Sequence, residues 1–448
     1  MTTQMRVLLA TTIGSSIVIL DGSIVNLALP KIATDLHVGF SSLQWITDGY
    51  LLSLSALILL GGSLGDIFGR KKVYLIGLIG FGASSLLCAL APDAVTLTLV
   101  RVLQGLFGAL LVPGALAIIN TTFSLKERGH AIGRWTAWSS IAIVLAPFLG
   151  GGILQIASWR WIFLINLPLV AICYILGSSS IQESKNDHPR KVDSLGAILV
   201  SLALAGFTYG LIGGPADHWS LLDISSLVAG VVLSIWFVMH ESRSKDPMVK
   251  LSLFKSRNFV GANLMTFMMY GALGGFVFAL VIYLQTRLHY SAIEAGMGSL
   301  PISVLMIFFA GKVGHLSAQY GPRFFMTAGP LTAASGMFLL SFLQPGASYL
   351  VGVLPGIVLF GIGLVLLVAP LTTTVMTSVN EVDSGIASGI NNAVSRAAGL
   401  IVVAMLGFSG ADTMYQFAMA LCGMLALCSG IISFIFITKV EPETETTI

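Results

Sequence analysis

Apolar residues come in runs of about twenty along nearly the whole chain, and this run length limits its fold more than any other feature. A helix rises 1.5 Å per residue, so about 20 mostly apolar residues cross a ~30 Å hydrocarbon core. Such runs occupy 7–29, 43–64, 73–91, 95–118, 132–155, 161–181, 194–214, 221–240, 258–284, 295–314, 324–343, 350–373, 385–408 and 412–437. Lipid offers the backbone no hydrogen-bond partner, which leaves helices or a closed barrel. Only 10% of the residues are charged and 49 are glycine, a composition that lets helices approach closely where no hydrophobic force drives them together. The sequence therefore predicts an all-α membrane protein with fourteen transmembrane helices. The run 7–29 exceeds a signal-peptide core and is expected to stay as the first span.

Between the second and third runs lies a charged turn, Gly62-Ser-Leu-Gly-Asp66-Ile-Phe-Gly69-Arg70-Lys71, and Gly314 to Arg323 repeats it. Gly62 aligns with Gly314, Leu64 with Leu316, Gly69 with Gly321 and Lys71 with Arg323. Gln104-Gly-Leu-Phe-Gly108 running to Pro113 likewise parallels Gly361-Ile-Gly363 running to Pro370. The chain reads as duplicated, with two six-helix bundles in pseudo-twofold relation, over 1–181 and 258–438. Linker loops over 182–257 carry two inserted helices, at about 194–214 and 221–240, and 439–448 forms a tail. Lys and Arg favour cytosolic loops. Arg70, Lys71, Arg128, Lys185 and Lys250 fall on one side and Lys31, Arg160 and Arg287 on the other, which places both termini in the cytosol. Parallel repeats of this kind describe a transporter whose substrate sits near the bilayer midplane.

Ionisable residues inside the runs are the candidates for chemistry, because a charge in hydrocarbon must pair, meet water or take up a proton. Asp21, in the first span, serves either a structural hydrogen bond or proton coupling, and the residues alone leave both open. Asp48, near the outer end of the second span, is placed to exchange a proton for a cationic substrate. Arg101, in the fourth span, cannot shed its proton, so it needs an acid or carbonyls, and Asp21 is the nearest candidate acid. In the gating turn, Asp66 is expected to accept from a neighbouring helix start or pair with a base, and Gly62 and Gly69 let the backbone turn tightly. The aromatics Phe267, Tyr270, Phe276, Phe278 and Tyr283 suit cation stacking. Asn263, Gln285, Asn391, Asn392 and Arg396 face either a cavity or neighbouring helices. The cysteines Cys88, Cys173, Cys422 and Cys428 lie in apolar runs and read as packing residues. No metal spacing, phosphate loop or nucleophile triad is present in the sequence, so catalysis, a bound cofactor and nucleic-acid binding are not expected.

These motifs carry a family resemblance. Gly62-x-Leu-x-Asp66-x-x-Gly69-Arg70-Lys71 resembles motif A of major facilitator superfamily transporters, and Gly314 to Arg323 resembles its degenerate second copy, with Ala318 where Asp66 stands. Leu97-x-x-x-Arg101-x-x-Gln104-Gly105 is similar to motif B. Gly133, Ala142, Ala146, Pro147, Gly150 and Gly151 keep the spacing of motif C, the antiporter hinge, although two alanines replace glycines. Leu20 to Pro30 resembles the first-span signature of the fourteen-span drug:proton antiporters. The resemblance implies a monomeric secondary transporter of the plasma membrane, energised by the proton gradient without a cofactor and exporting lipophilic cationic drugs. Its partners would be a small-molecule substrate, protons and the bilayer. Two other readings stay open: an exporter of an endogenous metabolite, lipid or self-made antibiotic, and a non-transporting scaffold or receptor. A scaffold has no physical need of Asp21, Arg101 and Asp66.

Overall fold

In the computed structural model, residues 2–185, 193–216, 218–380, 383–408 and 413–438 are described, and their regular structure is helical. The tail expected over 439–448 and most of the first linker lie outside these residues. Two compact units divide the chain: Met1–Met248 with Leu284–Met297, and Val249–Tyr283 with Gly298–Ile448.

The first unit begins with α1 (Thr3–Leu36), α2 (Phe40–Phe68), α3 (Arg70–Leu90), α4 (Ala94–Thr122) and α5 (Leu125–Ile156). The short α6 (Trp161–Leu164) leads into α7 (Asn166–Ser180), and the inserted pair is α8 (Ser194–Ala216) and α9 (Leu221–Arg243). From Arg257 to Thr286 runs α10, followed by α11 (Ala292–Gly298), α12 (Leu300–Tyr320), α13 (Pro322–Ser341), α14 (Leu354–Thr377), α15 (Ser384–Met405) and α16 (Met414–Phe436). Among the described residues, 13 helical stretches are long and apolar enough to cross a membrane. The remaining predicted run, 132–155, lies within α5, an unbroken helix of 32 residues whose described apolar stretch is Val144–Ile156.

Local chemistry explains the boundaries. Asp93 caps α4 by accepting from the Thr96 backbone at 2.8 Å, and Ser220 with Asp223 forms a reciprocal capping box on α9. The two turns matched by sequence share a backbone conformation: Gly69 separates α2 from α3 at φ 108°, and Gly321 separates α12 from α13 at φ 85°. L side chains avoid that region.

Within the first unit α2 crosses α4 so closely that a Cβ on Gly105 would lie 2.2 Å from the Tyr50 carbonyl oxygen. This contact brings the middle of α4 against α1, α2 and α3 and so positions the site described below. Inserted α8 lies against α2, where the Trp45 and Tyr209 rings are 6.2 Å apart. Within the second unit α13 packs on α14 and α16, and α12 on α14.

Candidate functional site

Arg101 and Asp21, predicted separately from charge in apolar runs, meet in the interior of the first unit. Arg101 on α4 is 1% exposed and Asp21 on α1 2%, and Arg101 Nη1 donates to Asp21 Oδ2 at 2.5 Å. Three further helices complete the surroundings. Gln104 Nε2 and Asn166 Nδ2 each donate to Asp21 Oδ1 at 3.0 Å, so this carboxylate accepts from three side chains. Ser85 on α3 accepts from Asn166 at 2.9 Å and from Gln104 at 3.3 Å, and donates to the Phe163 carbonyl. Arg101 also donates to Gln104 Oε1 at 2.7 Å and, through Nε, to the Ile46 carbonyl at 3.4 Å. Its guanidinium carbon lies 4.1 Å from the Tyr50 ring centroid, and the Tyr50 hydroxyl in turn donates to the Val18 carbonyl. The result is a closed polar core tying together α1, α2, α3, α4 and α7.

Asp48 has the opposite surroundings. It sits on α2, fully buried, and neither carboxylate oxygen has a hydrogen-bond partner. An isolated ionised carboxylate out of water costs several kcal/mol, so such a group favours taking a proton or a cation. The structure does not bring Asp48 into the Arg101 network. Two of the buried acids of the first unit thus contrast: Asp21 is neutralised by a fixed base and two amides, whereas neither oxygen of Asp48 has a hydrogen-bond partner among the described residues.

At the gating turn Asp66 accepts from Arg70 Nε at 3.0 Å and Nη2 at 2.7 Å. The start of α3 is held by another acid. Glu183, just past the end of α7, accepts from the Lys71 and Lys72 backbone N–H groups at 3.0 and 3.1 Å. The Arg70 N–H donates to the Ser184 carbonyl, and Lys71 Nζ to that of Ser178 at 2.7 Å. A Cβ on Gly69 would run into the Glu183 carboxylate at 2.7 Å, so this glycine is required by close approach as well as by φ. Gly62 lies nearby on α2, where an added Cβ would meet Pro113 of α4 at 3.7 Å.

The residues expected to form a hinge are spread along α5. Ala142 and Ala146 are buried, Gly150 packs on Ile24, Gly151 on Ile293, and Pro147 on Gly296, while the space beside Gly133 is open.

The structure narrows several readings that the sequence left open. The ring of Phe276 stacks on Phe360 with centroids 4.2 Å apart, and Tyr283 on Tyr415 at 3.8 Å, so these faces serve packing. Asn391 donates to Asn263 and to Thr266, joining α15 to α10, and Gln285 donates to the Leu27 carbonyl. Two cysteines do more than pack: Cys88 donates to Gln104 and Cys173 to the Ala10 carbonyl. The sequence reading missed Asn166, Ser85 and Glu183. The signal for Asn166 was an amide inside an apolar run, and for Glu183 an acid two residues past a span end.

Comparison with known proteins agrees with this architecture. Residues 11–404 match the profile of the Major Facilitator Superfamily. The multidrug resistance protein Stp of Mycobacterium tuberculosis is 35% identical over 407 residues, covering 90% of this chain and 75% of its own. The tetracenomycin C resistance and export protein of Streptomyces glaucescens is 32% identical, with coverages of 89% and 74%. The lincomycin resistance protein of Streptomyces lincolnensis is 33% identical, with coverages of 88% and 82%. The crystal structure of a POT family transporter in complex with a thioalcohol-conjugated peptide shares the fold, with a TM-score of 0.73 at 14% identity over 96% of this chain and 95% of that one.

Proposed function

The chain belongs to the Major Facilitator Superfamily, and from that premise we propose that it exports lipophilic cationic drugs or toxic compounds in exchange for protons. It is a multi-pass membrane protein and a secondary transporter of small molecules rather than an enzyme. On our reading α5 supplies a fourteenth span, both ends of the chain lie in the cytosol of a bacterial cell, and the protein works as a monomer in the plasma membrane. The proton gradient is the energy source, with no cofactor.

The observation that carries this reading is the contrast between the buried acids Asp48 and Asp21. Asp48, enclosed and without a donor, is the carboxylate that holds either a proton or a cationic substrate. Asp21, already neutralised by Arg101, is either the structural anchor of Arg101 or the partner through which Arg101 senses proton occupancy. The turn from Gly62 to Lys71 and the small-residue face of α5 act as gating elements in alternating access. Drugs as cargo rest on the names of the relatives, which include multidrug and single-antibiotic resistance proteins.

The test is export of tetraphenylphosphonium and ethidium by everted vesicles carrying wild type or Asp48→Asn. The substitution is expected to abolish export while membrane content stays at the wild-type level. Undiminished export would reject Asp48 as the exchanging carboxylate.

A further inference from the structure

Arg396 is a base within a spanning helix that the proposed mechanism leaves unused. It is the thirteenth residue of α15, about 18 Å of helical rise from Ser384, and so lies in the middle of the span Ile386–Phe408. A guanidinium at that depth keeps its proton, and against acyl chains it would cost several kcal/mol. Arg396 is half-buried, and it shares a helix face with Ser388, Asn392 and Ser395, at spacings of four, three and one residues. The opposite side of α15 is apolar and closed, with Ala387, Ile390 and Ala398 buried.

Two details mark this face as a surface and not a packing seam. Asn392 is exposed in a spanning helix, and its amide donates to the Ser388 carbonyl of its own helix, as Ser395 does to the Asn392 carbonyl. Asn391, one position round, instead donates across to α10. Gly399, one turn on, is buried against α10, where an added Cβ would meet the Tyr270 carbonyl at 4.0 Å. A polar stripe with a fixed positive charge and an exposed amide suits a wetted binding surface.

We infer that Arg396, with Asn392 and Ser395 beside it, forms a subsite for the ionised oxygen of a lipophilic substrate: a carboxylate, phenolate or enolate. The planar fork of a guanidinium matches such oxygens in geometry and charge. This rests on the export function proposed above and extends its cargo from cations to acidic and zwitterionic compounds. Arg396 differs from Asp48 in kind, because it cannot alternate between proton and substrate; it selects cargo and carries no proton.

The experiment measures export of fluorescein and of tetraphenylphosphonium by everted vesicles carrying the full chain, as a ratio of the two rates normalised to wild type. Wild type is expected to move both. Arg396→Gln should lower the fluorescein to tetraphenylphosphonium ratio at least tenfold, and Arg396→Lys should keep most of it. Asn392→Asp, at an exposed position one turn away, places an acid on the stripe without disturbing the core and should also lower the ratio. A ratio that Arg396→Gln and Asn392→Asp both leave unchanged, or a wild type that moves tetraphenylphosphonium but not fluorescein, overturns the subsite alone. A wild type that moves neither probe overturns the export function together with it.

Discussion

Arg101 makes its contacts with groups that would be left stranded if it were removed. Truncation to Ala would leave Asp21 ionised among apolar helices with only two amide donors, and breaking a buried pair in this way costs about 3–5 kcal/mol. Arg101→Ala is thus expected to lower the unfolding temperature sharply in detergent. The double variant Asp21→Asn, Arg101→Gln removes both charges and keeps the polar contacts with Gln104, Asn166 and Ser85, so it should recover most of that stability. Transport by this double variant separates the two readings of Asp21. A structural pair restores drug export along with the fold, whereas a coupling pair restores the fold and leaves proton-linked export lost.

At the scale of elements, the α3 start is where the sequence was least legible. The gating turn announced itself by its glycines and charges, but Glu183 is 112 residues from Lys71 and on the far side of four spans. Nothing local in Gln182-Glu-Ser184 says which helix end it will cap. Glu183→Ala should remove about 1 kcal/mol of capping at most, since the contact is exposed, yet slow transport by loosening α3 against α7. Equal rates in wild type and Glu183→Ala would make the cap a passive contact. The inserted pair has a clasp of its own: His240 Nε2 lies 2.8 Å from Asp193 Oδ1, which also accepts from the Gly196 N–H at 2.8 Å. Burial pushes the Asp193 carboxyl up, but the bonds from Gly196, His240 and Glu241 and the charge of His240 outweigh it and hold the carboxyl below its usual value. A depressed carboxylate stabilises the fold above its unfolded pKa of about 3.9 and loses that contribution as pH falls through the folded value. The Asp193 clasp is therefore expected to hold from pH 8 to 5 and to fail only below about pH 4. A disulfide-trapping assay between the ends of α8 and α9 would follow it, and loosening already at pH 6 would show that another group controls the clasp. The fold itself was readable because lipid enforces helices, and run length alone located the spans. Side-chain meetings such as Asp21 with Asn166 depend on helix rotation, which no run length encodes.

For the whole molecule, the proposed mechanism makes Asp48 and Asp21 decide how the proton gradient drives export. One proton crossing inward yields about 2.3 kcal/mol per 100 mV and about 1.4 kcal/mol per pH unit. If Asp48 alone exchanges one proton for one monovalent cation, no net charge moves and the voltage cancels. The drive is then the pH difference only, about tenfold in cation concentration for each unit. If Asp21 also takes up a proton and releases it in each cycle, two protons move per cation, one charge is transferred, and the voltage adds its full contribution. The closed network around Asp21, in which Arg101, Gln104 and Asn166 already occupy the carboxylate, favours the first case. Tetraphenylphosphonium export by proteoliposomes should accordingly collapse with nigericin, which abolishes the pH difference, and be insensitive to valinomycin in potassium, which abolishes the voltage. A strong valinomycin effect on wild type that disappears in Asp21→Asn would instead make Asp21 a second proton carrier, and the Arg101 pair a moving part of the cycle in place of a fixed one.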